Sequence, residues 1–408
     1  MAEALQKEET ALLELLRVSL NKNSRINEEK LPDTTDTEQW ERLLRLAGEH
    51  AVLSLLYEPL AESKRIPKAC MQRVEQAARG VVRTGYRLLF LTKYLTQILK
   101  EHGITAITLK GVSTASFYPV PELRKSGDVD ILITDAAKCE QACRLLAKEG
   151  FLSSGHQLTI HHVELENSEG ISVEVHGLLA EPFDSQSINR YLRGLLPEYE
   201  QHVVENTSWG FPIYQPSDGY HAFYLILHML QHYLRAGFGI KNLCDWVVFW
   251  NREIDKSEQK NFLRLMRESG TTGFVQIMTA ACVEYLGLPE ERVSFFLTKE
   301  IPQRQTEQFM KEIFAAGEYG RSDRVRMVAM RGTGMKAYVR EFHHQMHLNF
   351  PKAGRVWVCW PVLWSITLFR FLRNNRRVRN VSGREILKEA ARRSRLTEQM
   401  RLFETEQK

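Results

Sequence analysis

The sequence predicts an α+β fold in which a middle segment of short strands and helices lies between two helical flanks. Three observations lead there. Apolar residues recur at helical spacing over 11–20, 40–56 and 81–99, and helical patterning returns from about 216 onward. Between them, short runs alternate apolar and polar residues with a period of two. Turn formers such as Gly150, Asn167-Ser168-Glu169-Gly170 and Pro216-Ser217-Asp218-Gly219 punctuate this middle segment. The resulting partition is 1–98, a helical N-terminal region; 99–215, the mixed core; and 216–408, a helical C-terminal region with a basic tail.

Taken in chain order, 21–37 is polar and reads as a loop. The apolar run Ile104-Thr105-Ala106-Ile107-Thr108-Leu109 ends at Lys110-Gly111. The segment Ser126-Gly127-Asp128-Val129-Asp130-Ile131-Leu132-Ile133 reads as a strand, followed by a helix over 136–149 that Gly150 stops. His162-Val163-Glu164-Leu165-Glu166 and Ile171-Ser172-Val173-Glu174-Val175-His176 flank a Gly-containing turn, which is a hairpin signature. Within the helical run 220–233, His228 and His232 stand one turn apart, with Asp245 further on. An i, i+4 histidine pair is a possible metal clamp, but a zinc hydrolase helix would place Glu after the first His and Met229 stands there. Structural hydrogen bonding is the expected role of that pair.

Composition sets the bounds. The chain has 408 residues, 43% hydrophobic and 26% charged, enough for two or three domains with a buried core. Six cysteines without a CxxC pair imply no disulfide framework and a reducing cytoplasm. Cys139 and Cys143 fall on one face of the 136–149 helix and read as packing residues. No basic-then-apolar run marks a secretory signal near the N-terminus. The net charge of +5 is uneven: 353–408 carries 13 Lys/Arg against 5 Asp/Glu, leaving −3 for the first 352 residues. The basic excess is concentrated in that tail and says little about the candidate site, so no specific nucleic acid is predicted as a partner.

The most apolar segment, 356–372, precedes Arg373, Arg376, Arg377 and Arg379. Pro361 and Arg370 interrupt it and it barely reaches spanning length, so a core helix is expected. Weak membrane-surface contact through 356–379 is the alternative. Residues 384–403 read as a charged terminal helix.

The chemistry concentrates in the middle segment. Asp128 and Asp130 alternate with apolar residues on a strand, so both carboxylates point to one face. Two like charges side by side require a cation, and Mg²⁺ is bound by one or two carboxylates together with substrate phosphates. If the hairpin pairs beside this strand, Glu174 completes a three-acid cluster for one or two Mg²⁺ ions.

In this order, Leu109-Lys110-Gly111, the lead-in Tyr118-Pro119-Val120-Pro121-Glu122-Leu123-Arg124, Gly127-Asp128-Val129-Asp130 and Glu174-Val175-His176 resemble an uncharacterised bacterial nucleotidyltransferase family. That family lies in the DNA polymerase beta-like nucleotidyltransferase superfamily. The motif-bearing part covers about 100–180. In one departure, Val112 intervenes before Ser113, where the superfamily has Gly or Ser directly after the turn Gly. The resemblance implies an α+β nucleotidyltransferase core with a small mixed β-sheet. It implies Asp128, Asp130 and Glu174 as catalytic metal ligands, with Glu174 helping to deprotonate the acceptor. Lys110, Gly111 and Ser113 are implied against the phosphates. Arg124 and Lys125 stand where they could neutralise departing pyrophosphate, or form a solvated basic turn. His176 is expected either on phosphate or acceptor, or as a satisfied histidine beside the acids.

The implied reaction moves a nucleoside monophosphate from an NTP, ATP foremost, to an unidentified small-molecule acceptor and releases pyrophosphate. Two rivals stay open: a protein-modifying (AMPylating) nucleotidyltransferase of regulatory type, and a non-catalytic nucleotide-binding protein of the same fold.

Overall fold

Strict alternation in the middle segment builds a five-stranded sheet. The computed structural model describes residues 5–22, 24–153, 162–183, 185–235, 237–317, 339, 343, 346–347, 350, 356–374 and 400–403. Strands β1 (Ile107–Thr108), β2 (Asp128–Leu132), β3 (Leu152–Ser153), β4 (His162–Glu166) and β5 (Ser172–His176) run in the order β1-β2-β5-β4-β3. Only β2 and β5 pair in parallel; β1–β2, β3–β4 and β4–β5 are antiparallel, so the sheet is mixed. The α+β expectation therefore holds. A further hairpin, β6 (Val203–Asn206) and β7 (Ile213–Pro216), packs its second strand beside β1.

One face of the sheet is aliphatic. Val129, Ile131, Leu165, Val173 and Val175 are buried with Leu88, Leu95 and Leu99 of α4 (Lys68–Glu101) and with Ala142 and Leu146 of α6 (Ala136–Lys148). Each of the Val, Ile and Leu side chains contributes about 1.5–3 kcal/mol of transfer free energy. The opposite face carries the acids and is left for the cleft.

The helical flanks share one apolar core. Helix α1 (Lys7–Leu20) lies against α9 (Ile240–Trp250) and α11 (Thr272–Leu286), and α8 (Asp218–Arg235) packs on α10 (Lys256–Glu268). Leu12, Leu16, Trp40, Leu44, Trp246, Trp250 and Phe274 belong to the same buried cluster.

Three helical expectations shift. The run 40–56 breaks into α2 (Thr37–Glu49), a 3-10 turn at Leu53–Leu56 and α3 (Tyr57–Glu62). Ala51 at φ 58° closes α2, with Val52 N–H donating to the Ala47 carbonyl and Ala51 N–H to that of Gly48. This Schellman closure is normally made by glycine. Helix α4 starts at Lys68, well before 81, because the small residues Cys70, Val74 and Ala78 bury a stripe at four-residue spacing. The apolar segment around 356–372 forms a helix from Trp360 to Asn374 with Leu363 and Thr367 buried. Val358, Val362 and Phe369 are about two-thirds exposed, so the core-helix expectation holds on one side only. Among the described residues, no helix is long and apolar enough to cross a membrane. Arg376, Arg377, Arg379 and nearly all of the expected 384–403 helix lie outside the described residues.

A buried carboxylate fastens the N-terminal loop. Glu14 accepts from Arg17, from Lys30 Nζ at 3.1 Å and from the Asn27 N–H at 2.9 Å. Burial alone would raise its carboxyl, but these donors outweigh it and hold it down at about 2. A depressed native pKa stabilises the fold above the unfolded value, and the contribution fades as pH falls through the native one. Glu14→Gln is expected to cost about 2 kcal/mol near neutral pH. In urea denaturation series, its difference from the parent should narrow steadily from about pH 4.5 down toward pH 2.

Candidate active site

Pairing register decides which side chains meet. Asp128 and Asp130 alternate with buried Val129, so both project from one face of β2. The parallel register sets Asp130 beside Glu174 of β5, and the antiparallel register of β4 sets His162 opposite His176. Oxygens of Asp128, Asp130 and Glu174 fall within 4.8 Å of one another, a group able to hold a metal ion.

Positive charge is built in beside them. Past β1, the Leu109 N–H donates to the Asp130 carbonyl at 3.1 Å, which brings the next residue alongside β2. Lys110 Nζ thereby stands 3.3 Å from Asp130 Oδ1. Burial would lower this ammonium, but Asp130 and Asp128 outweigh burial and hold it above its ordinary value. His176 Nε2 lies 3.1 Å from Asp130 Oδ1 and 3.2 Å from Glu174 Oε2. Burial opposes its charge, yet these hydrogen bonds push the imidazole up to about 9. Glu174 is held at about 2, its own burial outweighed by His176 and Lys110. Asp128 moves the other way, raised first by the charge of Asp130 and then by burial.

A cleft of about 280 Å³ opens above this face. Its floor includes Lys110, Asp128, Glu174 and His176, and its far wall comes from α8 and the start of α9. Tyr224, His228, Gln231 and His232 recur at helical spacing on α8, while Lys241 and Asn242 come from the first turn of α9. His228 and His232 pack edge to face at 4.5 Å, and among the described residues neither joins a group of three or more ligands able to hold a metal. Burial, then the charge of Lys110, keeps His228 neutral.

The other expected residues differ in what they reach: Gly111 and Arg124 border a small pocket beside Lys110, Asp128 and Lys241. Gly111 does form the turn, at φ 67° and ψ −115°, a conformation that side-chain-bearing residues rarely adopt. Ser113 does not reach the cleft: it is fully buried in α5 (Val112–Ala115), because the intervening Val112 starts that helix and turns the next side chain inward. Arg124 is not a solvated basic turn. It is buried, with Nε 2.8 Å from Asp245 Oδ1 and Nη2 2.8 Å from Asp245 Oδ2. Its remaining nitrogen donates to Ser126 Oγ at 2.7 Å and to the Gly111 carbonyl at 3.3 Å. Tyr118 O–H donates to Asp245 as well. Burial would raise the Asp245 carboxyl, and Arg124 holds it below the ordinary range.

Sequence reasoning missed Lys241. The visible signal was a Lys and an Asp four residues apart inside the largely apolar stretch 238–250. On a helix that spacing places Lys241 and Asp245 on one side.

The family model described as "uncharacterised nucleotidyltransferase" matches residues 36–287, more than half of the chain. The chain belongs to that family. The matched span contains every residue of the carboxylate cluster and both walls of the cleft. No curated protein matches the sequence. Among solved structures, the chain is similar to an antigenic nucleotidyltransferase-like protein from Paracoccidioides brasiliensis. The identity is 19%, over 49% of this chain and 92% of that one, with a TM-score of 0.30. A likeness that loose transfers no residue roles.

The buried pair couples the α9 helix to the turn beneath the cleft. Asp245→Asn strands the Arg124 charge and is expected to cost about 3–5 kcal/mol in chemical denaturation. Arg124→Met combined with Asp245→Leu should cost clearly less, since neither charge is then left unpaired.

Proposed function

We propose that this nucleotidyltransferase moves a nucleoside monophosphate from an NTP, ATP foremost, to a small-molecule acceptor in a Mg²⁺-dependent reaction that releases pyrophosphate. The reading follows the plan of the DNA polymerase beta-like superfamily. The observation that carries it is Asp130 Oδ2, a buried carboxylate oxygen inside the three-acid cluster with no hydrogen-bond partner among the described residues. Leaving such an oxygen unsatisfied costs about 1–3 kcal/mol or more. A hard divalent cation satisfies it, and an all-oxygen donor set suits Mg²⁺. Asp128, Asp130 and Glu174 would hold that ion, whose bound charge polarises the reacting phosphate and offsets negative charge on its oxygens.

The chain's own residues supply positioning and proton transfer. Lys110 and Lys241 line the cleft and bind triphosphate oxygens as point charges. The Gly111 turn lets backbone approach the same oxygens without a Cβ in the way. Glu174, held ionised by His176 and Lys110, accepts the acceptor's hydroxyl proton as its oxygen attacks the α-phosphorus. The bond from that phosphorus to its bridging oxygen breaks, and pyrophosphate leaves with the electron pair. Gln231 and Asn242 on the far wall offer the acceptor hydrogen-bond donors and acceptors.

With each α-labelled NTP, Mg²⁺ and a host extract, label is expected to move to a small molecule. Asp130→Asn should lower that transfer by roughly 100-fold or more with an unchanged circular dichroism spectrum. Transfer to protein would instead select the AMPylating alternative, and no transfer from any NTP would remove the catalytic reading. Lys241→Ala is expected to raise the KM for the NTP by about tenfold, as one phosphate contact is lost. An unchanged KM would take Lys241 out of the nucleotide site.

A further inference from the structure

The sheet face holds a second donor set, which overlaps the three-acid cluster at Glu174 and adds two imidazoles to it. Glu174 and His176 are two residues apart on β5 and therefore share a face, and His162 stands directly opposite His176 across the β4–β5 ladder. The two imidazole rings are 5.3 Å apart between centroids and tilted by 36°. One ligand atom from each of His162, Glu174 and His176 lies within 4.8 Å of the others, and all three residues line the cleft.

Donor chemistry separates this group from the three-acid cluster. Two imidazole nitrogens and a carboxylate suit a borderline divalent cation, whereas Mg²⁺ seeks oxygen throughout. Tetrahedral zinc with bonds near 2.1 Å needs ligand atoms about 3.4 Å apart. The edge between His176 Nε2 and Glu174 Oε2 already measures 3.2 Å as a hydrogen bond, so an incoming cation takes the place of the proton on Nε2 and releases it to solvent. The half-buried His162 offers a ligand atom no more than 4.8 Å from each of the other two. Three protein ligands bordering an open cleft leave a fourth position for water or a bound molecule, the arrangement of accessible rather than structural zinc sites.

We propose that His162, Glu174 and His176 form a binding site for a divalent cation of the zinc class, beside the three-acid cluster and sharing Glu174 with it. The site goes beyond the nucleotidyl-transfer reading and is tested without any nucleotide. Because Glu174 serves both positions, a cation held by the histidines draws a ligand from the oxygen cluster.

Co²⁺ reports the donor set directly. One equivalent added to the metal-free full-length protein should give the visible bands of nitrogen-ligated Co²⁺, and Zn²⁺ should bleach them stoichiometrically. His162→Ala is expected to weaken Co²⁺ binding by roughly 100-fold, since one of three ligands is lost. Asp128→Asn should leave the bands in place, because Asp128 lies outside this donor set. His162→Cys provides the check that folding alone cannot mimic: a thiolate ligand adds a sulfur-to-cobalt charge-transfer band in the near ultraviolet. The proposal is overturned by colourless Co²⁺ in the parent, by bands that survive His162→Ala, or by a His162→Cys spectrum without charge transfer.

Discussion

Three carboxylates crowded on one face of a small sheet set the terms for everything around them. Asp130 is wholly buried between Asp128 on its own strand and Glu174 on the next. Unit charges about 4 Å apart repel by about 4 kcal/mol at an effective dielectric of 20. The fold answers with Lys110 and His176, each within hydrogen-bonding or ion-pair distance of Asp130. Even so, Asp130 drives the Asp128 carboxyl upward, and one oxygen of Asp130 has no hydrogen-bond partner among the described residues. The cluster is thus incompletely compensated by the protein alone, which is the electrostatic condition for taking up a cation.

That arrangement requires the turn before β2 and the helices over the cleft to hold still. Arg124 and Asp245 do this with a buried bidentate pair, to which Tyr118 adds a third hydrogen bond. One guanidinium reaches the Gly111 turn, the Ser126 lead-in to β2 and the α9 helix at once. The cleft wall carrying Lys241 is therefore tied to the floor carrying Lys110. Since α1 packs on α9 and α11, the N-terminal helices brace the same wall from behind.

Much of the floor was legible because period-two patterning is a local property. Alternation alone placed Asp128 with Asp130 and aligned the hairpin that presents Glu174 and His176. The misses have physical causes of a different kind. The character of Arg124 as a buried pair depends on Asp245, 121 residues away, and no local signal announces such a partner. Ser113 carries a polar side chain suited to phosphate, yet a short helix beginning at Val112 turns it into the core. Ala51 closes α2 in a left-handed conformation that its residue type does not advertise. Val358, Val362 and Phe369 read as core from their hydropathy, though whether an apolar face is covered depends on what packs over it.

By itself, the sequence determined which residues lie on which face of each strand, where the hairpin turns and which acids face together, because those follow from backbone periodicity. Tertiary structure alone decided that β2 pairs in parallel with β5, so that Asp130 meets Glu174, and that His162 stands across from His176. It also decided that α8 and α9 bring His228, Gln231 and Lys241 over the acids. Strand partners and helix docking arise from burial and charge compensation between segments far apart in the chain. The carboxylates are written locally; what neutralises them is chosen by the fold.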